Sequence, residues 1–136
     1  MVSQFEMELP YFGRGFHLIT DIINEQMPDL PESGICHLFI HHTSAALTIN
    51  ENADPTVRAD FESFFSRLVP DKTAYFKHIL EGDDDMPAHI KASLLGNSLI
   101  IPIAKKRLKL GMWQGIYLCE FRNERSSRRL TATILS

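Results

Sequence analysis

The run Ile35-Cys36-His37-Leu38-Phe39-Ile40-His41-His42 is apolar on both faces and reads as a buried strand ending in two histidines. Thr43-Ser44 interrupts it, and Ala45–Asn50 reads as a second strand. Asp54-Pro55 then places an aspartate cap before a proline in the first turn, a strong helix start. The apolar stripe Val57, Phe61, Phe64, Phe65 and Leu68 continues that helix, and Pro70 follows its end.

Working outward, Phe5, Met7 and Leu9 alternate with Gln4, Glu6 and Glu8, the period of a half-buried strand. Pro10 and Gly13–Gly15 break the chain, and Ile19, Ile22, Ile23 and Met27 give His17–Met27 a helical spacing. Downstream, Tyr75–Leu80 fits neither period, and Glu81–Asp85 reads as an acidic loop. Pro87 opens a short helix to Leu95, with Gly96 at its C-terminal cap. Ser98–Ile103 is strand-like, with Pro102 placing it at an edge or a bulge. Gly111–Arg122 and Arg128–Leu135 read as the last two strands, joined by a polar turn. Strands dominate without a βαβ rhythm, so one α+β domain over residues 1–136 with a mixed or antiparallel sheet is expected.

Composition narrows the function classes. The 136 residues are 44% hydrophobic and 23% charged with a net charge of -3, ordinary for a globular domain and a poor match to duplex nucleic acid. Lys105–Arg107, Lys109 and the arginines 122, 125, 128 and 129 cluster late, as solvated turns or a local anion patch. No apolar run is long enough to span a bilayer, and Met1–Leu9 lacks the pattern of a secretory signal. Cys36 and Cys119 lie in strand-like segments without framework spacing, which points to buried thiols in a reducing compartment and a cytoplasmic location.

The chemistry concentrates on histidines and acids. His42 follows a buried strand and precedes Thr43 and Ser44, whose hydroxyls suit an anion or a turn. His78 and His89 bracket the acidic loop Glu81-Gly82-Asp83-Asp84-Asp85, and folding back would bring them together. Imidazole and carboxylate are the usual donors for zinc and similar ions, so His42, His78 and His89 form a candidate set for a divalent metal. Three acids in a row also favour a helix N-terminus. Asn50, Glu51 and Asn52 make a second polar cluster suited either to turn chemistry or to one wall of a substrate site. On the Gly111–Arg122 strand, Gln114, Glu120 and Arg122 share a face, where Arg122 reads as pairing with Glu120 or as binding a phosphate. Ser44 lacks the glycines of a nucleophile elbow, so covalent catalysis is disfavoured.

Three stretches together resemble the YjbQ-like family, described as secondary thiamine-phosphate synthases: His42–Pro55, with its His-Thr-Ser-Ala-Ala opening; His78–Lys91, with Glu-Gly-Asp-Asp-Asp-Met-Pro at its centre; and Leu110–Leu118, with Trp113-Gln114-Gly115. Glu120 and Arg122 also fit, and the likeness spans nearly the whole chain. The resemblance implies a β-sandwich-like subunit with two or three short helices, assembled as a homotrimer, with His42, His78 and His89 in one site. It implies joining of hydroxymethylpyrimidine diphosphate to thiazole phosphate with loss of pyrophosphate, as a main or a side activity. In that reaction Arg122 and a metal ion, zinc or magnesium, would stabilise the departing pyrophosphate, and Glu120 or Asp84 would offset positive charge on the pyrimidine. Gln114 joins this catalytic set, and Thr43, Ser44, Asn50, Glu51 and Asn52 the substrate-binding one. Two other classes fit the same residues. One is a metal-dependent hydrolase of phosphoesters or amides, with Asp84 or Glu81 as general base. The other is a non-catalytic ligand or metal-binding protein.

Overall fold

The computed structural model describes all 136 residues. The strands are β1 (Val2–Glu8), β2 (Gly15–Leu18), β3 (Ser33–Ile40), β4 (Ala45–Glu51), β5 (Ser98–Ala104), β6 (Arg107–Leu108), β7 (Gln114–Glu120) and β8 (Arg129–Leu135). The helices are α1 (Thr20–Gln26), α2 (Pro55–Leu68) and α3 (Asp85–Leu95). One sheet has the order β1-β8-β3-β5-β6 and a second the order β2-β7-β4. Every pairing is antiparallel, which settles the choice left open between mixed and antiparallel sheets.

Alternation of side chains places the layers. Met7, Cys36, Leu38, Ile101, Leu130 and Ile134 of the larger sheet bury against Leu47, Ile116 and Leu118 of the smaller one. The other face of the smaller sheet carries Phe16, Ala46, Tyr117, Cys119 and Phe121, packed on Ala88 and Ala92 of α3 and on Phe61 and Phe65 of α2. The smaller sheet is thus covered on both faces, which explains the unbroken burial from Gly115 to Phe121.

The larger sheet is covered on one face only. Its β3 is therefore not buried on both sides as its apolar run predicts: Cys36, Leu38 and Ile40 are buried, whereas Ile35 is 43% exposed. Pro102 lies on β5, whose outer neighbour β6 has only two residues, in keeping with its missing N–H.

Three further boundaries differ from the sequence pattern. His17–Met27 divides into β2 and a helix that starts at Thr20, because His17 and Leu18 pair with Leu118 and Tyr117. The acidic loop ends one residue early, and Asp85 is the first residue of α3. The segment after β7 is not a hairpin turn: β7 and β8 belong to different sheets.

That last difference positions the site. Three of the six connections between the sheets run through residues 9–14, 41–44 and 121–128. The register puts all three crossings at one end, with Glu8, Ile40 and Arg129–Leu130 level in the larger sheet. Gly15, Ala45 and Glu120 are level in the smaller. Crossing segments leave backbone groups without a ladder, so polar side chains must hold them. No helix is long and apolar enough to cross a membrane.

Candidate functional site

Asp85 and His89 stand one turn apart on the same face at the start of α3, and His78 reaches them from the preceding loop. Asp85 Oδ2 lies 2.7 Å from His78 Nε2 and 3.0 Å from His89 Nε2. The three potential ligand atoms all lie within 4.8 Å of one another. The other oxygen, Oδ1, accepts a hydrogen bond from Arg122 Nη1. Arg122 also bonds Asp84 Oδ2 through Nε at 3.0 Å and the Glu81 carbonyl through Nη2 at 2.8 Å. Asp84 Oδ2 further accepts the Asn123 N–H at 2.8 Å. Arg122 thereby pins the acidic loop onto the crossing at 121–128.

Both acids are buried, yet both stay ionised. Burial pushes the Asp85 carboxyl up, but the His78 hydrogen bond and the charges of His89 and Arg122 outweigh it and hold it below the usual range. At Asp84 the same push from burial is outweighed by the Asn123 N–H and Arg122. Arg122 is raised in turn, its own desolvation being exceeded by Asp84 and Asp85.

Hydrogen-bond partners fix which ring nitrogens carry protons. His89 Nδ1 lies 2.9 Å from the Thr43 carbonyl, which only accepts, so Nδ1 is the protonated nitrogen. Its Nε2 then meets the Asp85 carboxylate, also an acceptor, so a positive centre must lie between them: a second proton or a metal ion. A histidine that donates Nδ1–H to a backbone carbonyl and presents Nε2 is the arrangement common among metal ligands.

His42 is the counter-example. The Arg129 N–H donates to its Nε2 at 2.9 Å, so its lone pair is occupied and Nδ1 holds the proton. Burial, then the nearby Arg128 and Arg129, lower its pKa. Of the expected trio, His78 and His89 meet at Asp85, and His42 lies outside that group.

The remaining expected residues divide between two ends of the smaller sheet. Glu120 is fully buried and bonds Arg128 by both oxygens, at 2.7 and 2.6 Å. Arg128 also donates to Ser44 Oγ at 3.0 Å. These three staple the sheet crossings together, so the Glu120 carboxylate and the Ser44 hydroxyl are both engaged within the protein. Asn50, Glu51, Asn52 and Gln114 sit at the far end, where Glu51 pairs with Gln114 just as Ala45 pairs with Glu120. Six residues of strand separate the ends, about 20 Å at about 3.3 Å per residue. There Asn52 Nδ2 bonds the Met112 and Gln114 carbonyls, and Gln114 Oε1 accepts the Gly111 N–H. Within one subunit Gln114 does not share the site of His89. Asp85 and Arg128 were missed from sequence; the spacing of Asp85 and His89, four residues apart, was the available signal for the first.

Beside His89 a hollow of about 770 Å³ opens between the 41–44 crossing and the C-terminal half of α3.

The family model "UPF0047 protein YjbQ-like" matches residues 6–136. The UPF0047 protein YjbQ of Escherichia coli O157:H7 is 55% identical over 136 residues, covering 98% of each chain. YugU of Bacillus subtilis is 40% identical over 112 residues, covering 79% of this chain and 83% of that one. Among solved structures, a conserved hypothetical protein of Thermus thermophilus superposes with a TM-score of 0.85 at 34% identity, covering 96% of this chain and 99% of its own. An uncharacterised YjbQ/UPF0047 protein of Clostridium acetobutylicum gives 0.81 at 38% identity, with coverage of 96% and 99%. None of these four is named for an activity.

Proposed function

This chain belongs to the UPF0047 YjbQ-like family, and from that premise we propose that it is an enzyme in which His78, Asp85 and His89 hold a divalent metal ion for a reaction of a small phosphorylated substrate. The convergence of three donors carries this reading: His78 Nε2 and His89 Nε2 both meet Asp85 Oδ2, the three atoms lie within 4.8 Å of one another, and His89 Nδ1–H is committed to Thr43. Two imidazoles with one carboxylate suit zinc better than magnesium, and suit ferrous iron as well. When bound, the ion supplies charge stabilisation to a departing phosphate oxygen. Arg122 keeps Asp85 Oδ1 occupied and leaves Oδ2 to the imidazoles. Asp84, by engaging Arg122 Nε, fixes the angle from which that fork approaches. Both residues position, in place of the direct catalytic roles expected from sequence.

The transfer that fits the family resemblance is the thiamine-phosphate synthase type. The pyrimidine's carbon–oxygen bond breaks, pyrophosphate leaves with the electron pair, and the thiazole nitrogen forms the new bond to carbon. A metal-dependent hydrolase is the second reading, favoured by the exposed Glu81 carboxylate 4.0 Å from His78 Nε2, where it could serve water as a base.

A homotrimer and a cytoplasmic location complete the proposal. The uncovered face of the larger sheet supports the first and the two free buried thiols the second.

The test measures metal content and pyrophosphate release for wild type, His89→Ala and His42→Ala, each checked for folding by circular dichroism. The expected result is about one equivalent of divalent metal in wild type and His42→Ala, and none in folded His89→Ala. Pyrophosphate release is expected to require the thiazole phosphate; release of phosphate or pyrophosphate without it would favour the hydrolase. Wild type without metal, after supplementation with zinc, iron and magnesium salts, would overturn the centre.

A further inference from the structure

Residues 69–84 join α2 to α3 without a helix or strand of their own. Connections longer than about 12–15 residues are uncommon in small domains and usually carry function. Here two arginines fix the ends. Arg14 Nη1 holds Asp71 Oδ2 at 3.1 Å, and the same guanidinium grips Glu62 and Ser66 of α2 and the Asn123 side chain. Arg122 holds the other end through Asp84 and the Glu81 carbonyl.

The span between the anchors has no such hold. From Thr73 to Leu80 the one polar tie to the rest of the protein is His78 Nε2 to Asp85 Oδ2. The other bonds stay within the connection: the Thr73 hydroxyl to the Pro70 carbonyl, and the Phe76 N–H to the Thr73 carbonyl. Lys72 and Asp83, 3.6 Å apart and both well exposed, join the two ends only to each other, and such a pair holds little. Burial does not fasten the span either. Tyr75, Ile79 and Leu80 face water, and Phe76 is only half-buried. A segment with few buried apolar contacts and an exposed backbone opens at small cost. Gly82, with a φ of 112°, turns the chain beside the Arg122 anchor in a conformation that suits glycine.

We infer that residues 73–80 form a strap that the metal ion closes. Without the ion the strap swings out at His78 while Asp71 and Asp84 stay anchored; with it, His78 is held to Asp85 and His89. The inference rests on the metal-centre reading and adds its regulation. Asp85 and His89 are set by one turn of α3, so two ligands stand on a rigid element and the third rides on the strap. The His78 ring lies 5.4 Å from that of His89, which also lines the hollow, so closing the strap shuts the site on that side.

The experiment digests the full chain with trypsin, with and without zinc, and follows cleavage after the exposed Lys77, which requires an open strap. An unstructured lysine-containing peptide in the same digest reports any effect of zinc on the protease. Bound zinc is measured in parallel by competition with a chromogenic chelator. Zinc is expected to slow cleavage after Lys77 about tenfold in wild type and to leave the rate unchanged in His78→Ala, checked for folding by circular dichroism. Zinc that binds wild type without slowing this cleavage would overturn the strap and leave the metal centre standing. Equal protection in His78→Ala would overturn it as well. Wild type that binds no zinc would sink the metal centre and the strap with it. The wild-type comparison decides the matter even where His78→Ala does not fold.

Discussion

At the scale of single residues, the charged groups of this protein have different neighbours and therefore different work. Glu120 and Arg128 are 0% and 5% exposed and bonded to each other twice. Glu120→Ala leaves a buried guanidinium without its counterion and is expected to cost about 3–5 kcal/mol in urea unfolding. A loss below about 1 kcal/mol would return Glu120 to the groups available to a substrate. His78 and His89 were readable from sequence because a loop of acids between two histidines is an uncommon pattern. Asp85 was not picked out, because placing the helix start at Pro87 left it among loop acids, when it stands one turn before His89. The bond that His42 makes was not legible for a physical reason: what occupies its Nε2 is a backbone N–H 87 residues away. No local pattern encodes such a contact.

At the scale of elements, periodicity located most strands, and the Asp54 cap was legible because it is local chemistry: its Oδ1 accepts the Thr56 N–H at 2.9 Å. What failed were judgements that depend on a neighbour. The apolar β3 did not announce that one of its faces would lack a cover, and β7 and β8 did not announce that they would part into different sheets. Close strand approach gives a direct test. A Cβ on Gly34, in β3, would lie 2.3 Å from the Leu135 carbonyl oxygen of β8, an atom that no rotamer change can move. Gly34→Ala is expected to destabilise by about 1–3 kcal/mol in thermal unfolding. Gly13→Ala, with nothing within 4 Å of its added carbon, serves as the neutral control. Equal melting temperatures for the two would show that β3 and β8 are packed less closely than described.

At the scale of the whole molecule, the uncovered face of the larger sheet is the main unfinished surface. The register sets Val2, Leu135, Ile35 and Pro102 in one outward row and Gln4, Thr133, His37 and Ile100 in the next. Val2, Ile35, Ile100 and Leu135 are 61%, 43%, 68% and 43% exposed, apolar side chains on a face that no element covers. If copies of this chain associate there, Ile100→Glu is expected to reduce the particle mass from trimer to monomer in light scattering behind size exclusion, with circular dichroism unchanged. A wild type that runs as a monomer, or a trimer that survives the substitution, would remove this face from the assembly.

The sheet orders also say something about time. The strands β1, β2 and β4 have no pairing partner except β7 or β8. As the chain leaves the ribosome, these three strands emerge before anything exists to zip them, and only β3, β5 and β6 can begin a ladder among themselves. Completion of both sheets therefore waits for the final quarter of synthesis. Until then β1, β2 and β4 have no ladder to join, and unpaired strands are the ones open to pairing with another chain.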